Sequence, residues 1–138
     1  MNATVRALFV CPEKKARPVA VTEVRVGLAG FEGDFHGRTA NRRQILMLSN
    51  DVVCEFGLSP GMLHENMVID GVDIMSLAPG QTLYIGDAVL EVTAPCEPCV
   101  QMERIRQGLR QALEGKRGMF ARVSSPGTIR IGDAVKCQ

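Results

Sequence analysis

Two cysteines three residues apart, Cys96 and Cys99, stand in the run Pro95-Cys96-Glu97-Pro98-Cys99. A C-x-x-C pair can hold a soft metal, exchange disulfides or carry sulfur, because a thiolate is both a nucleophile and a soft ligand. Pro95 and Pro98 fix φ within the run and stiffen the turn that presents the thiols. A helical pattern follows at once. If Cys99 caps that helix, backbone N–H groups and the positive dipole end favour its thiolate. Three other readings compete. A structural zinc asks for about four ligands, whereas Cys11, Cys54, Cys137, His36 and His64 are scattered without paired spacing. A thioredoxin-like redox pair wants the motif in a βαβ setting, which the β-rich surroundings do not offer. Inert burial suits Cys54 on an apolar helix face better than a cysteine held between prolines.

A second set of polar residues lies upstream. Gly30-Phe31-Glu32-Gly33-Asp34-Phe35-His36-Gly37 places an acid and an imidazole two apart in a glycine-rich stretch. Glycines let backbone N–H groups converge on an anion, and His36 can donate to a phosphate or move protons near neutral pH. Equally, Asp34 can cap a turn while His36 faces solvent. Glu65 and Asn66 adjoin the apolar Met67-Val68-Ile69, so they either brace a neighbouring loop or line a pocket. Arg42, Arg43 and Arg122 are candidate anion contacts, since guanidinium pairs well with phosphate oxygens, though lone arginines serve as readily as surface charges.

Short strands must position these groups. Residues 3–10 read as a strand closed by Cys11-Pro12, and residues 19–26 as a second, rich in β-branched side chains. Residues 27–41, with few apolar side chains, predict a long shaped loop. Gln44 to Leu48 reads as a buried strand. Ser49 and Asn50 then offer N-caps for a short helix over 51–56 ended by Gly57. Further strands are expected over 65–69, 82–85 and 119–123. Residues 83–90 echo residues 129–136, each with strand-like runs around a Gly-Asp pair, which predicts two tight hairpins. Met102, Ile105, Leu109 and Leu113 recur at helical spacing and predict one helix within 100–114. Many short strands with two or three short helical insertions make a mainly β chain, a β-barrel forming one domain over residues 1–138.

Bulk properties exclude several classes. A net charge of +1, with one Tyr and no Trp, argues against general nucleic-acid binding. No run approaches the ~20 apolar residues that span a bilayer, and the opening Met1-Asn2-Ala3-Thr4 lacks a basic, then apolar, secretion signal. Five scattered cysteines suit a reducing compartment, so a cytoplasmic location is expected.

Taken in order, these pieces resemble the MOSC family, named for the molybdenum cofactor sulfurase C-terminal domain. The matching stretches are 30–36, 43–46, Glu65-Asn66 with 71–73, 77–80, 85–93, 95–99, 118–123 and 127–135. The resemblance implies a MOSC-like β-barrel and a functional cysteine at the second position of the pair, Cys99. It implies that Cys99 ligates the molybdenum of a pterin cofactor (molybdopterin), with reduction of N-hydroxylated compounds as the associated activity. The alternative is a sulfur carrier or transferase with a persulfide on Cys99, Cys96 as resolving thiol and a cysteine desulfurase or redox protein as partner. By the same resemblance Gly33, Asp34, His36, Arg43, Glu65, Asn66 and Arg122 line the cofactor site, and the family carries a looser association with pyridoxal phosphate. The additional N-terminal domain of amidoxime-reducing relatives and the C-terminal helical extension of larger bacterial members have no counterpart in these residues. A homodimer mate is therefore one expected way of completing the pocket. A non-enzymatic domain with an inert or zinc-binding C-x-x-C is the third reading.

Overall fold

The computed structural model describes residues 3–13, 16–35 and 42–138. Among the described residues eleven strands form two sheets, joined by three short α-helices and one 3-10 turn. Strands β1 (Ala3–Val10), β5 (Ile45–Ser49), β6 (Met67–Asp70), β7 (Thr82–Ile85), β8 (Ala88–Pro95), β9 (Met119–Ser125) and β11 (Ala134–Cys137) close a ring in the order β1-β11-β7-β8-β9-β5-β6. All neighbours in it are antiparallel except β5 and β6. Closure removes the sheet edges that would otherwise invite foreign strands. β2 (Val19–Val21) pairs with β1 outside the ring. β10 (Gly127–Arg130), β3 (Glu23–Gly27) and β4 (Gly30–Phe31) form a separate small sheet.

Side-chain alternation sends one face of each strand into the barrel. Leu83 and Ile85 of β7, Ala88, Leu90 and Val92 of β8, and Met119, Ala121 and Val123 of β9 fill the interior. In β1 the inward set shifts from Ala3 and Val5 to Leu8, because a bulge falls between Val5 and Ala7. β5 is buried at every position. Its Ile45 and Met47 face the barrel, while Leu48 packs into a second cluster with Val52, Leu63, Met102, Leu109 and Leu113. That cluster seats the helices α1 (Asn50–Glu55), α2 (Met102–Ile105) and α3 (Leu109–Ala112).

Four expectations change. The 19–26 run divides at Thr22: β2 joins the barrel wall and β3 the small sheet. Only the first Gly-Asp pair makes a hairpin, with Ile85 opposite Ala88. The second carries the chain from β10, paired with β3, to β11, paired with β1 and β7. The two Gly-Asp turns pack together, and a Cβ on Gly86 would collide with the Asp133 carboxylate. The helix over 100–114 breaks into two four-residue helices, because Arg106 is extended and Gly108 adopts φ 85°. Glu103 bridges the break by accepting from the N–H groups of Gly108 and Arg110, which hold its carboxyl below the usual range. Finally, Ser49 occupies the N-cap position of α1 without capping it: its hydroxyl accepts from the Ile74 N–H and donates to the Val72 carbonyl.

Candidate functional site

The C-x-x-C loop leaves the barrel at the end of β8. A register shift between Val92 and Ala94 re-aims the strand there, as bulges do beside functional loops. Thr93 donates its hydroxyl to the Arg42 carbonyl, tying the 42–44 segment to the same strand end. The Gln44 side chain anchors that segment further, donating to the Leu28 carbonyl and accepting from the Val123 N–H. Pro95 lies opposite Met119, and the Cys96 N–H donates to the Gly118 carbonyl at 2.9 Å. The loop is thus pinned at its first cysteine and stiffened by two prolines.

The two thiols differ in setting. Cys99 is exposed and Cys96 half-buried. Burial pushes the Cys96 thiol up, the Arg117 and Arg43 charges pull it down, and Cys99 and Glu97 raise it slightly. Cys96 therefore feels both Cys99 and two arginines. Arg43 lies over the Phe120 ring, 5.5 Å from its centroid, a cation–π placement that holds its charge near the loop. The expected helix cap on Cys99 is absent. α2 begins at Met102 with Gln101 as its N-cap, and only the Cys99 carbonyl is engaged, by the Met102 N–H. One turn of helix supplies little dipole in any case.

Beside Cys96 opens a cleft of about 690 Å³ whose wall includes Pro95, Glu97, Glu103, Arg110 and Glu114. Its charged lining is mainly acidic, and neither Arg43 nor Arg117 contributes to it. The Cys96 thiol thus stands between an acidic cleft and the charges of two arginines.

The remaining sequence candidates fall into four settings. Asp34, Glu65 and Asn66 are buried and bonded to the protein's own backbone. Asn66 accepts from the Leu46 N–H and donates to the Phe9 carbonyl and to Asp34 Oδ1, which also accepts from the Cys11 N–H. Glu65 accepts from the N–H groups of Gly61 and Leu63. These three brace the loops behind the site. Gly33 is exposed, at φ 85° in the turn that delivers Asp34. Arg122 pairs with Glu91 at 3.0 Å farther along the β8–β9 ladder, away from Pro95 and Met119. His36 lies outside the described residues. Sequence reading missed Arg117, which is 7% exposed. Within Gly115-Lys116-Arg117-Gly118 it reads as a basic turn, and no local signal marks its burial.

Cys11 is the inert contrast. It is wholly buried, and its thiol is pushed up to about 12, chiefly by burial and then by the charges of Asp34 and Glu65. Below 9.0 both folded and unfolded chains keep this proton. Above it the unfolded chain deprotonates first, so stability falls as pH rises towards 12. The slope approaches about 1.4 kcal/mol per pH unit for one proton. Denaturant titrations between pH 8 and 10.5 are expected to show a steeper loss in wild type than in Cys11→Val.

Among the described residues no three His, Cys, Asp or Glu side chains converge to hold a metal ion, so a four-ligand zinc centre has no framework there. The groups present suit an anionic, soft-metal cofactor better. They are an exposed soft donor, a second thiol, and a buried arginine with two unpartnered nitrogens acting on that thiol. No helix among the described residues is long and apolar enough to cross a membrane.

The barrel is similar to the YuaD protein from Bacillus subtilis, with TM-score 0.83 and 22% identity over 99% of this chain and 96% of that one. It is also similar to YiiM from Escherichia coli (TM-score 0.75, 20% identity, 100% and 70% covered). For YiiM from Geobacillus stearothermophilus the TM-score is 0.77 at 20% identity, with 99% and 75% covered. At these identities the likeness concerns the fold. No curated protein matches the sequence. The family model described as MOSC domain matches residues 35–136, a span that runs from Phe35 through the cysteine loop to β11. The chain belongs to the MOSC domain family.

Proposed function

We propose that this protein holds a molybdenum–pterin cofactor through the Cys99 thiolate and uses it in reduction of N-hydroxylated compounds. One observation carries the reading: an exposed cysteine on a proline-stiffened loop, at the end of a MOSC barrel strand, with arginine charge beside its companion Cys96. An exposed thiol can reach a bound metal without unfolding its loop, and a soft sulfur suits molybdenum. When bound, the metal supplies two-electron redox chemistry. The chain's own part is to present Cys99, to hold the loop by the Cys96–Gly118 bond, and to offer positive charge to an anionic cofactor. Asp34, Glu65 and Asn66 act behind the site as braces.

The test is metal and pterin analysis of protein made in a cofactor-competent host. Wild-type protein is expected to carry both. Protein carrying neither under those conditions overturns the proposal.

Cys99 lies close enough to Cys96 to raise its thiol, and this closeness favours a second reading, sulfur transfer. Here the Cys99 thiolate takes sulfane sulfur from a desulfurase-bound persulfide, leaving the desulfurase cysteine as thiolate; Cys96 then attacks the Cys99 persulfide, forming the Cys96–Cys99 disulfide and releasing sulfide, and a thiol reductant restores the pair. Incubation with a cysteine desulfurase and L-cysteine should then add one sulfur to Cys99, read by mass spectrometry. An unmodified Cys99 counts against it.

A further inference from the structure

Arg117 is a buried cation that no carboxylate answers among the described residues. Its Nη2 donates to the Leu63 carbonyl at 2.8 Å, while Nε and Nη1 are buried without hydrogen-bond partners. The residue after Leu63 adds a third such atom, His64 Nδ1. Among the described residues no Asp or Glu pairs with Arg117. Guanidinium keeps its charge at any working pH, and an uncompensated buried charge is strongly unfavourable. Buried polar groups in a settled fold find partners, so the unmet atoms of Arg117 and of the residue that follows its Leu63 partner ask for one. The partner must be anionic to answer Arg117, and it must offer several acceptors. The nearby cleft beside Cys96 carries Glu97, Glu103 and Glu114 and disfavours an anion.

We propose that Arg117 and His64 form a buried oxyanion subsite beside Cys96, taking a tetrahedral oxyanion such as phosphate or sulfate. The oxyanion is either a free ion or the phosphate end of a larger ligand. The subsite does not need Cys99 to ligate a metal. His64 Nδ1, when it carries the ring proton, donates to the same anion.

The test uses cofactor-free wild-type protein titrated with sodium phosphate or sodium sulfate against chloride at matched ionic strength. Saturable stabilisation is expected, raising Tm by about 5 °C or more at high excess. Arg117→Met removes the unanswered charge while filling its space, so it should fold at least as well in chloride and lose the oxyanion response. Arg117→Lys, which keeps the charge but fewer donors, should bind about tenfold more weakly. In cofactor-loaded protein, loss of the response identifies the phosphate of the loaded ligand as occupant, and its persistence identifies a free ion. A wild-type response no larger than chloride's, or an equal response in Arg117→Met, overturns the subsite. The titration needs no molybdenum, so its failure and that of the cofactor reading are separable.

Discussion

Replacing Asn66 with alanine is expected to cost about 3–5 kcal/mol, at the upper end of single-substitution effects. Asn66 is wholly buried and ties together β1, β5 and the Asp34 turn through Phe9, Leu46 and Asp34. Truncation leaves the Leu46 N–H without its side-chain acceptor, removes a donor from the Phe9 carbonyl, and takes a partner from Asp34. Each unmet buried group costs about 1–3 kcal/mol, and the vacated volume adds a cavity term. Thermal unfolding is expected at least ~10 °C lower. Asn66→Asp should fare little better, because it keeps an acceptor for Leu46 but sets a second carboxylate against Asp34. A Tm within about 2 °C of wild type for Asn66→Ala would show that the network is dispensable.

The second large effect belongs to Gly118. It sits at φ 124°, where side chains are strained, and a Cβ there would lie 2.7 Å from the Met47 carbonyl oxygen and 3.1 Å from Leu46 Cδ1. Met47 is central to the barrel wall and has no room to retreat. Gly118→Ala must therefore shift the chain at the point where its carbonyl receives the Cys96 N–H. A loss of about 2–4 kcal/mol is expected. Unlike Asn66→Ala, the substitution should also alter thiol chemistry in the folded protein. Alkylation of Cys96 under native conditions should accelerate as its loop comes free. An unchanged alkylation rate would separate loop position from the Gly118 contact.

The strands were legible where local pattern reports burial. The alternation of 82–85 and 88–92 and the unbroken apolar run at 45–48 state which faces are covered. What pattern does not carry is the identity of a strand's partner. The 19–26 run has uniform β propensity, yet its halves join different sheets, and the two Gly-Asp segments share chemistry while only one closes on itself. Those outcomes depend on contacts over a hundred residues apart in sequence, as between Val24 and Ile129. The break at Gly108 was hidden because Met102, Ile105, Leu109 and Leu113 keep helical spacing on both sides of it. In the site, the cysteine loop was legible from its prolines. Arg117 was not, because burial of a charged residue depends on what packs over it. Asp34, Glu65 and Asn66 were visible as polar residues near apolar runs, and only the fold shows that their bonds go to backbone.

The assignment of Cys99 over Cys96 is tested most directly by molybdenum and pterin content per chain in Cys99→Ser and Cys96→Ser, beside wild type from the same cofactor-competent host. Cys96→Ser is expected to keep most of the metal, since its backbone bond to Gly118 survives the change. Cys99→Ser is expected to lose at least about tenfold, the scale on which removing a soft ligand weakens a metal site. Equal metal in both variants, or loss in Cys96→Ser alone, would contradict Cys99 as the ligand.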